Sequence, residues 1–508
     1  MFPPPLGLRL LWTVFPRLDP ATRLRRYRYF ILMSTFLAYL CYHMTRRPIA
    51  VVKAVLNHDG NCSTARPQIN RTVPANESGT WCDWEPFSGD SPYFGYLDSA
   101  YLFSYAICMF GSGFVAERMH LRYFLSLGLM LSGLMTYAFG IGYTLNLHSF
   151  WFYLIVQIIS GGVQSSGWPA VVTLMSNWYG KTKKGLIFGI WNAHTSVGNI
   201  VGALIAGSFV DYNWGMSFFV PGLICCAVGL FVLLFVPPVP EEVGIDSEAP
   251  AGADATDDES LVTVAGASMS RGREIGPDER TALLETSGEH KQAISFFRAL
   301  AIPGVIEFSL ALFFAKLVAY TFLFWLPLYL ESSTGYDAQT AAKLSTAFDI
   351  GGIFGGILAG YLSDRTGASA TTSVVFLFLA IPMLFVYKMF GTVNVVLNVL
   401  LLLCTGFLVN GPYALITTAV SAELGCHPSI NKKSNALATV TAIIDGTGSV
   451  GAALGPLFAA VLKNALPRWL AVFLMVMISN LLALICLLRI SIKEIARMRR
   501  REDSSHVE

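Results

Sequence analysis

The chain has 508 residues, of which 54% are hydrophobic and only 13% charged, with a formal net charge of +2. Soluble domains carry about 25% charged residues, so this composition excludes a soluble globular protein and places the chain in a lipid bilayer. No cleavable signal peptide is expected, because the first 28 residues hold Arg9, Arg17, Arg23, Arg25, Arg26 and Arg28 and lack a compact apolar core with a small-residue cleavage site.

Crossing a hydrocarbon core of about 30 Å takes about 20 apolar residues. After a cytosolic segment 1–28, windows of that length predict twelve spans, at 29–52, 93–117, 122–144, 150–176, 185–210, 215–237, 303–330, 339–363, 369–391, 393–420, 434–462 and 467–490. One side collects the N-terminal arginines, Arg118, Arg122, Lys181, Lys183, Lys184, Arg365, Lys432, Lys433 and a basic tail, 491–508. The positive-inside rule makes that side the cytosol. On the opposite side, the loop 53–92 contains three Asn-X-Ser/Thr sequons, at Asn61, Asn70 and Asn76, which are expected to be glycosylated in a lumenal loop. Cys62 and Cys82 share that loop, either as a disulfide or as two free thiols. The other cysteines lie in or near apolar segments without metal-ligand spacing, so they are read as packing residues and no metal is expected.

Residues 238–294 break the apolar pattern with Pro, Gly, Ser, Thr and the acids Asp254, Asp257, Asp258 and Glu259. Such a stretch buries too little apolar surface to order itself, so it is predicted to be a disordered cytosolic linker. It separates a six-span half, 29–237, from a second, 295–490. An internal repeat supports the division. Gly113 to Glu117-Arg118 follows the second span, and Gly360 to Asp364-Arg365-Thr366-Gly367 follows the eighth. The acid and arginine of each copy are expected to pair with a neighbouring helix terminus and act in gating. Glycines from Gly198 to Gly207 in the fifth span and from Gly446 to Gly455 in the eleventh form another matching pair. The predicted fold is an all-α membrane protein of twelve transmembrane helices in two six-helix pseudo-symmetric halves. Such architectures hold substrate near the midplane and expose it to each side in turn.

Three cations stand within apolar spans: Arg46 and Arg47 in the first and Lys316 in the seventh. A charge at membrane depth costs at least about 2.5–3.5 kcal/mol and normally faces a cavity. Arginine offers a planar fork to phosphate oxygens and lysine a point charge, so the pair on pseudo-symmetric helices suits a phosphorylated anion. Two readings stand side by side: the cations contact a ligand, or they pair with Asp98, Asp349 or Asp445, whose expected roles are gating and charge positioning. Arg47 points about 100° away from Arg46 around a helix. No G-x-x-x-x-G-K-[ST], H-E-x-x-H or G-x-S-x-G pattern occurs, so neither enzyme chemistry nor a cofactor is expected.

Tyr42-His43-Met44-Thr45-Arg46-Arg47-Pro48, Trp191-Asn192-Ala193-His194, Lys316 to Tyr320, Asn410-Gly411-Pro412-Tyr413 and Ile444-Asp445-Gly446 together resemble the sugar-phosphate exchanger family. The Gly360–Gly367 stretch matches the G-x-x-x-D-R-x-G pattern of the major facilitator superfamily, to which that family belongs. The resemblance implies an antiporter that exchanges glucose 6-phosphate or a related sugar phosphate for inorganic phosphate in the endoplasmic reticulum membrane. It makes Arg46 the phosphate-binding arginine. Lys316, Tyr39, Tyr42, Tyr105, His194, Tyr320, Asn192 and Asn410 join as substrate contacts, with Arg47 in support. Three departures stand out: Lys316 lies nine residues before Trp325, a turn from the bacterial pattern; keeping Trp191-Asn192 and Val197-Gly198 in register places Thr195 opposite the bacterial histidine matched to His194; and Met109 replaces a lysine of the second span. A carrier of another organic anion and a non-transporting receptor or scaffold are the alternatives. The partners expected are the substrates and the bilayer, with no nucleic acid. Glu279 with Leu283-Leu284 has the form of an acidic dileucine sorting signal, which would recruit a sorting adaptor and point to endosomes or lysosomes instead.

Overall fold

In a computed structural model of the chain, residues 3–14, 20–56, 84, 86–87, 92–179, 190–245, 292–293, 296–421, 424, 434–435, 437–463 and 469–505 are described. The sequons, Cys62 and Cys82, residues 246–291 with the dileucine motif, and the side chains of Glu117 and Arg118 lie outside them.

Pro48 has no N–H to extend a helix, and the first span breaks there. Helix α1 (Leu6–Val14) precedes α2 (Pro20–Arg46), and the span restarts as α3 (Pro48–Leu56), every residue of which is buried. The helical path therefore begins before residue 29 and runs past residue 52. The first half continues with α4 (Tyr93–Arg118) and α5 (Leu121–Thr144), then a fourth span broken into α6 (Phe150–Gln164) and α7 (Gly167–Tyr179). It closes with α8 (His194–Phe209) and α9 (Met216–Phe235). The second half holds the short α10 (Phe296–Leu300), then α11 (Val305–Thr334), α12 (Ala338–Thr366) and α13 (Ser369–Phe390). Next come α14 (Val395–Leu415), which runs into a π-helical turn at Ile416–Val420, then α15 (Leu437–Leu462) and α16 (Leu470–Ser505). Among the described residues, each predicted span contains helix, although the span 434–462 begins with the strand residues Ser434–Asn435. Among the described residues, 8 helices are individually long and apolar enough to cross a membrane. The other spans are carried by α2–α3, α4, α6–α7 and α8, and α2, α4 and α6 are the first-half helices that supply the site described below. The strand content of the described residues is one two-residue parallel ladder, Gln292–Ala293 on Ser434–Asn435.

Small residues set the helix spacing, and they do so equivalently in both halves. A Cβ at Gly161 would collide with the Tyr101 carbonyl, which lets α6 lie against α4; Gly351 against the Leu403 carbonyl does the same for α12 on α14. The halves meet where α4 packs on α15, α8 on α12 and α3 on α11. These seams concentrate at the side predicted to be lumenal: Gly95 near the start of α4 faces Ala460, and Gly207 near the end of α8 faces Ala342. Ser99 donates a hydrogen bond to the Ala453 carbonyl across the same seam, at 3.0 Å.

At the opposite end the predicted linker boundary shifts. A 3-10 turn at Pro240–Val243 puts the Glu242 carboxylate 2.7 Å from His120 Nε2 and 3.6 Å from Arg122 Nη1, at the start of α5. Burial raises the Glu242 pKa, and the His120 contact opposes that rise. Trp178 Nε1 also donates to the Pro237 carbonyl at 3.0 Å, and Arg23 to that of Gly244 at 2.8 Å. Residues 238–245 are packed because this polar stretch finds matching partners on the helix ends.

Asp211, just beyond α8, lies near Asp337, which caps α12 by accepting from Thr340 N at 3.1 Å. Burial, and then the charge of Asp337, push the Asp211 pKa up to about 6, against the pull of Lys343. A carboxyl raised this way keeps its proton in the folded state where the unfolded chain has lost it, so its contribution to stability falls as pH rises from about 4 to 6. The expected result is a melting temperature that rises when the purified protein is taken from pH 7 to pH 5, with a visibly shallower slope in Asp211→Asn. An identical slope in the variant would discard the assignment.

Candidate functional site

The two broken spans of the first half face each other, and the site forms between their breaks. Arg46 is the last residue of α2 and Gln164 the last of α6. Arg46 Nε donates to Gln164 Oε1 at 2.8 Å, and Gln164 Nε2 donates in turn to Thr45 Oγ1 at 2.8 Å. The Tyr101 hydroxyl also donates to Gln164 Oε1. The Arg46 guanidinium lies over the Tyr105 ring, 4.7 Å from its centroid, and Nη1 reaches the Tyr320 hydroxyl of the second half at 3.4 Å. Nη2 is buried without a hydrogen-bond partner, and Arg46 forms no ion pair among the described residues. It is a desolvated cation, 4% exposed, held by neutral groups and one donor short of satisfaction.

Lys316 is held differently. Its ammonium donates to Asp445 Oδ1 at 2.7 Å and to Ser449 Oγ at 3.4 Å, and it lies 5.7 Å from the centre of the Tyr413 ring. Tyr413 meets Tyr320 edge to face, with centroids 6.5 Å apart. A row of groups therefore runs from Arg46 through Tyr320 and Tyr413 to Lys316, joining first and second halves. The pairing and ligand readings of the cations separate here: Lys316 has its acid, and Arg46 has none.

The other acids are taken by other cations. Arg47 donates to the Leu323 carbonyl and, at 2.8 Å, to Ser345 Oγ, and its Nη2 lies 3.8 Å from Asp349 Oδ2. Asp349 Oδ1 accepts from Asn199 Nδ2 at 3.0 Å, and Asn199 Oδ1 lies 3.3 Å from His43 Nδ1. Arg47 thus points across the seam to α12 and away from the Arg46 cluster. Asp98 pairs with Lys53, a residue the hydropathy pattern assigns to the loop 53–92.

The remaining predicted residues divide. Tyr105 and Tyr320 join Arg46. Tyr39, His194, Trp191 and Trp168 form an aromatic cluster, with His194 4.7 Å from Tyr39 and 4.5 Å from Trp191 between ring centroids. His194 Nδ1 lies 3.1 Å from Thr195 Oγ1. Tyr42 turns toward α7, its hydroxyl 3.3 Å from Ser166 Oγ. Asn410 packs over Gly352, and Asn192 sits in the turn before α8. Asp364 and Arg365 are exposed, and Arg365 donates at 3.1 Å to Tyr361 of its own helix, with no link to a neighbouring helix end among the described residues. Gln164, Tyr101, Tyr413 and Lys53 are the site residues that sequence reasoning missed. Gln164-Ser165-Ser166-Gly167, a polar, helix-weakening run inside an apolar span, is the signal that points to the first of them.

Beside Arg46 lies a cavity of about 20 Å³ lined in part by Thr45, Tyr101, Thr136, Gln157 and Ser160. That is room for about one water molecule.

The profile of the Major Facilitator Superfamily matches residues 35–428. The chain belongs to that superfamily. Within it, the glucose-6-phosphate exchanger SLC37A2 of Xenopus tropicalis is 49% identical, over 94% of this chain and 96% of its own. Its human counterpart is also 49% identical, over 92% and 93%. The putative glycerol-3-phosphate transporter 1 of Arabidopsis thaliana is 46% identical, over 92% and 89%. Among solved structures, a bacterial homologue of the human lysosomal transporter Spinster, in an inward-facing and unoccupied conformation, aligns with a TM-score of 0.55 at 16% identity, covering 93% of this chain and 97% of that one. The superfamily fold of two six-helix halves, expected from the repeat, is the fold of this chain, and the family resemblance is borne out.

Proposed function

We propose that the chain is a secondary antiporter that exchanges glucose 6-phosphate, or a related sugar phosphate, for inorganic phosphate by alternating access, and that it is not an enzyme. The observation that carries this is Arg46, a buried guanidinium with one unpartnered nitrogen and no acid beside it. Such a group is expensive to leave in low dielectric, and an anion with several oxygens relieves the cost through charge-assisted hydrogen bonds. Phosphate docks on Nη2 and on Nη1, displacing the long contact to Tyr320. To reach Lys316 it competes with the Asp445 carboxylate, which accepts from the ammonium at 2.7 Å. One anion then bridges α2 and α11, drawing the halves together.

Obligatory exchange follows from the asymmetry of the two cations. In the empty carrier Asp445 neutralises Lys316, so the penalty on passing through a closed, unloaded state rests on Arg46. The names of the SLC37A2 relatives support glucose 6-phosphate as the substrate, and the plant relative's name supports glycerol 3-phosphate as a second reading.

Proteoliposomes loaded with inorganic phosphate test the proposal. Labelled glucose 6-phosphate is expected to enter only when phosphate is inside, and a panel of unlabelled organophosphates ranks the substrates. Equal uptake into empty vesicles would rule out exchange, and saturable binding without counterflow would make the protein a receptor. The proposal extends to an endoplasmic reticulum membrane location with both termini in the cytosol and a glycosylated lumenal loop, against an endosomal or lysosomal one reached through a sorting adaptor at Glu279, Leu283 and Leu284. Imaging of Leu283→Ala/Leu284→Ala decides between them.

A further inference from the structure

We infer that Lys53 is a positioning residue that latches the two halves at the side predicted to be lumenal, with Asp98 as its standing counterion; this rests on the exchanger reading above. Lys53 lies in α3, beyond the Arg46-Arg47-Pro48 break, and is completely buried. From its own half it meets the Asp98 carboxylate on α4, also completely buried. From the other half it meets α11: its Nζ donates to the Phe324 carbonyl at 3.2 Å and lies 4.4 Å from the centroid of the Trp325 ring system. An ammonium has three donors, and here one group addresses both sides of the seam.

The sequence of α11 leaves the carbonyl next to this one free. Pro327 sits inside that helix and has no N–H to give the Leu323 carbonyl one turn earlier. Arg47 donates to the Leu323 oxygen and Lys53 to the next one, that of Phe324. Two consecutive carbonyls beside a helix-interior proline thus receive two cations from the first span. For the lumenal side to open, Lys53 must leave Phe324 and Trp325. It does not have to leave Asp98, because α3 and α4 belong to one half. The pair therefore keeps the ammonium neutralised in both states, and opening never strands a buried charge, whose cost would be prohibitive. An ion pair serving only to fasten α3 to α4 would have no need of α11.

Exchanging the two residues, Lys53→Asp with Asp98→Lys, separates these roles. The swap preserves the ion pair but turns a carboxylate toward the Phe324 carbonyl, so that two acceptors face each other. The readout is the labelling rate of a cysteine at position 99 (Ser99→Cys), placed in the α4–α15 seam of the full-length protein with its other cysteines replaced. A membrane-impermeant maleimide is applied to the lumenal face of sealed, oriented vesicles. The swap is expected to keep the melting temperature of the unswapped protein while labelling rises about tenfold, the population shift that goes with losing one charge-assisted hydrogen bond. If the swapped chain does not fold, the uncharged pair Lys53→Met with Asp98→Leu is read in the same way. An unchanged labelling rate in either folded variant overturns the latch. Phosphate:phosphate exchange by the unswapped chain in the same vesicles is scored separately: its absence would reject the exchanger reading while the labelling comparison still decides the seam.

Discussion

Arg46→Ala is expected to reduce phosphate:phosphate exchange in proteoliposomes by about 100-fold or more, the equivalent of one or two charge-assisted hydrogen bonds at about 1.5–3 kcal/mol each. The fold should survive. No carboxylate pairs with Arg46 among the described residues, so its removal strands no anion, and Gln164 keeps its bonds to Thr45 and Tyr101. A melting temperature equal to or above that of the native protein, combined with lost exchange, distinguishes a binding role from a structural one. Arg46→Lys retains the charge but loses the fork and the Nε bond to Gln164, so an intermediate loss of about tenfold is expected. Exchange by Arg46→Ala at the native rate would remove the centre of the proposal.

How far the sequence carries depends on whether the interaction concerned is local. The spans are legible because each apolar run reports its own burial, whereas the break at Pro48 falls inside the single run read as 29–52. Arg46 and Lys316 are legible as anomalies within those runs. Their partners are not. That Asp445 belongs to Lys316, Asp349 to Arg47 and Asp98 to Lys53 depends on how helices distant in sequence are set side by side, and no periodicity encodes it. Lys53 is the sharpest case. Following an apolar run and preceding a polar loop, a cation reads as the edge of the membrane. Its burial is explained only by Asp98, 45 residues away, and the Phe324 carbonyl, 271 away. Family motifs name Tyr42 and His194, and their contacts across helices, Ser166 for the one and Tyr39 for the other, again come from helices that no local pattern sets side by side.

Lys316 and Asp445 make the second large prediction, because each should fail differently alone and far less together. Lys316→Ala leaves Asp445 buried beside the phosphate position without its cation. Breaking such a pair costs about 3–5 kcal/mol, so poor yield and near-complete loss of exchange are expected. Asp445→Asn leaves the ammonium unpaired, and phosphate no longer has to displace an acid to reach it. Its apparent KM for inorganic phosphate should fall by about tenfold, a gain of about 1.4 kcal/mol in binding. Meanwhile the empty carrier gains a second unneutralised buried charge, so any uptake into unloaded vesicles should drop further. Lys316→Ala with Asp445→Ala removes both costs. That chain should melt near the native temperature and retain measurable exchange through Arg46, giving a double-mutant cycle far from additive. Exchange and melting temperature supply the four corners of the cycle. If Asp445→Asn instead raises the KM for phosphate, Asp445 helps to bind the anion's surroundings instead of competing with it, and the single-site account of obligatory exchange falls.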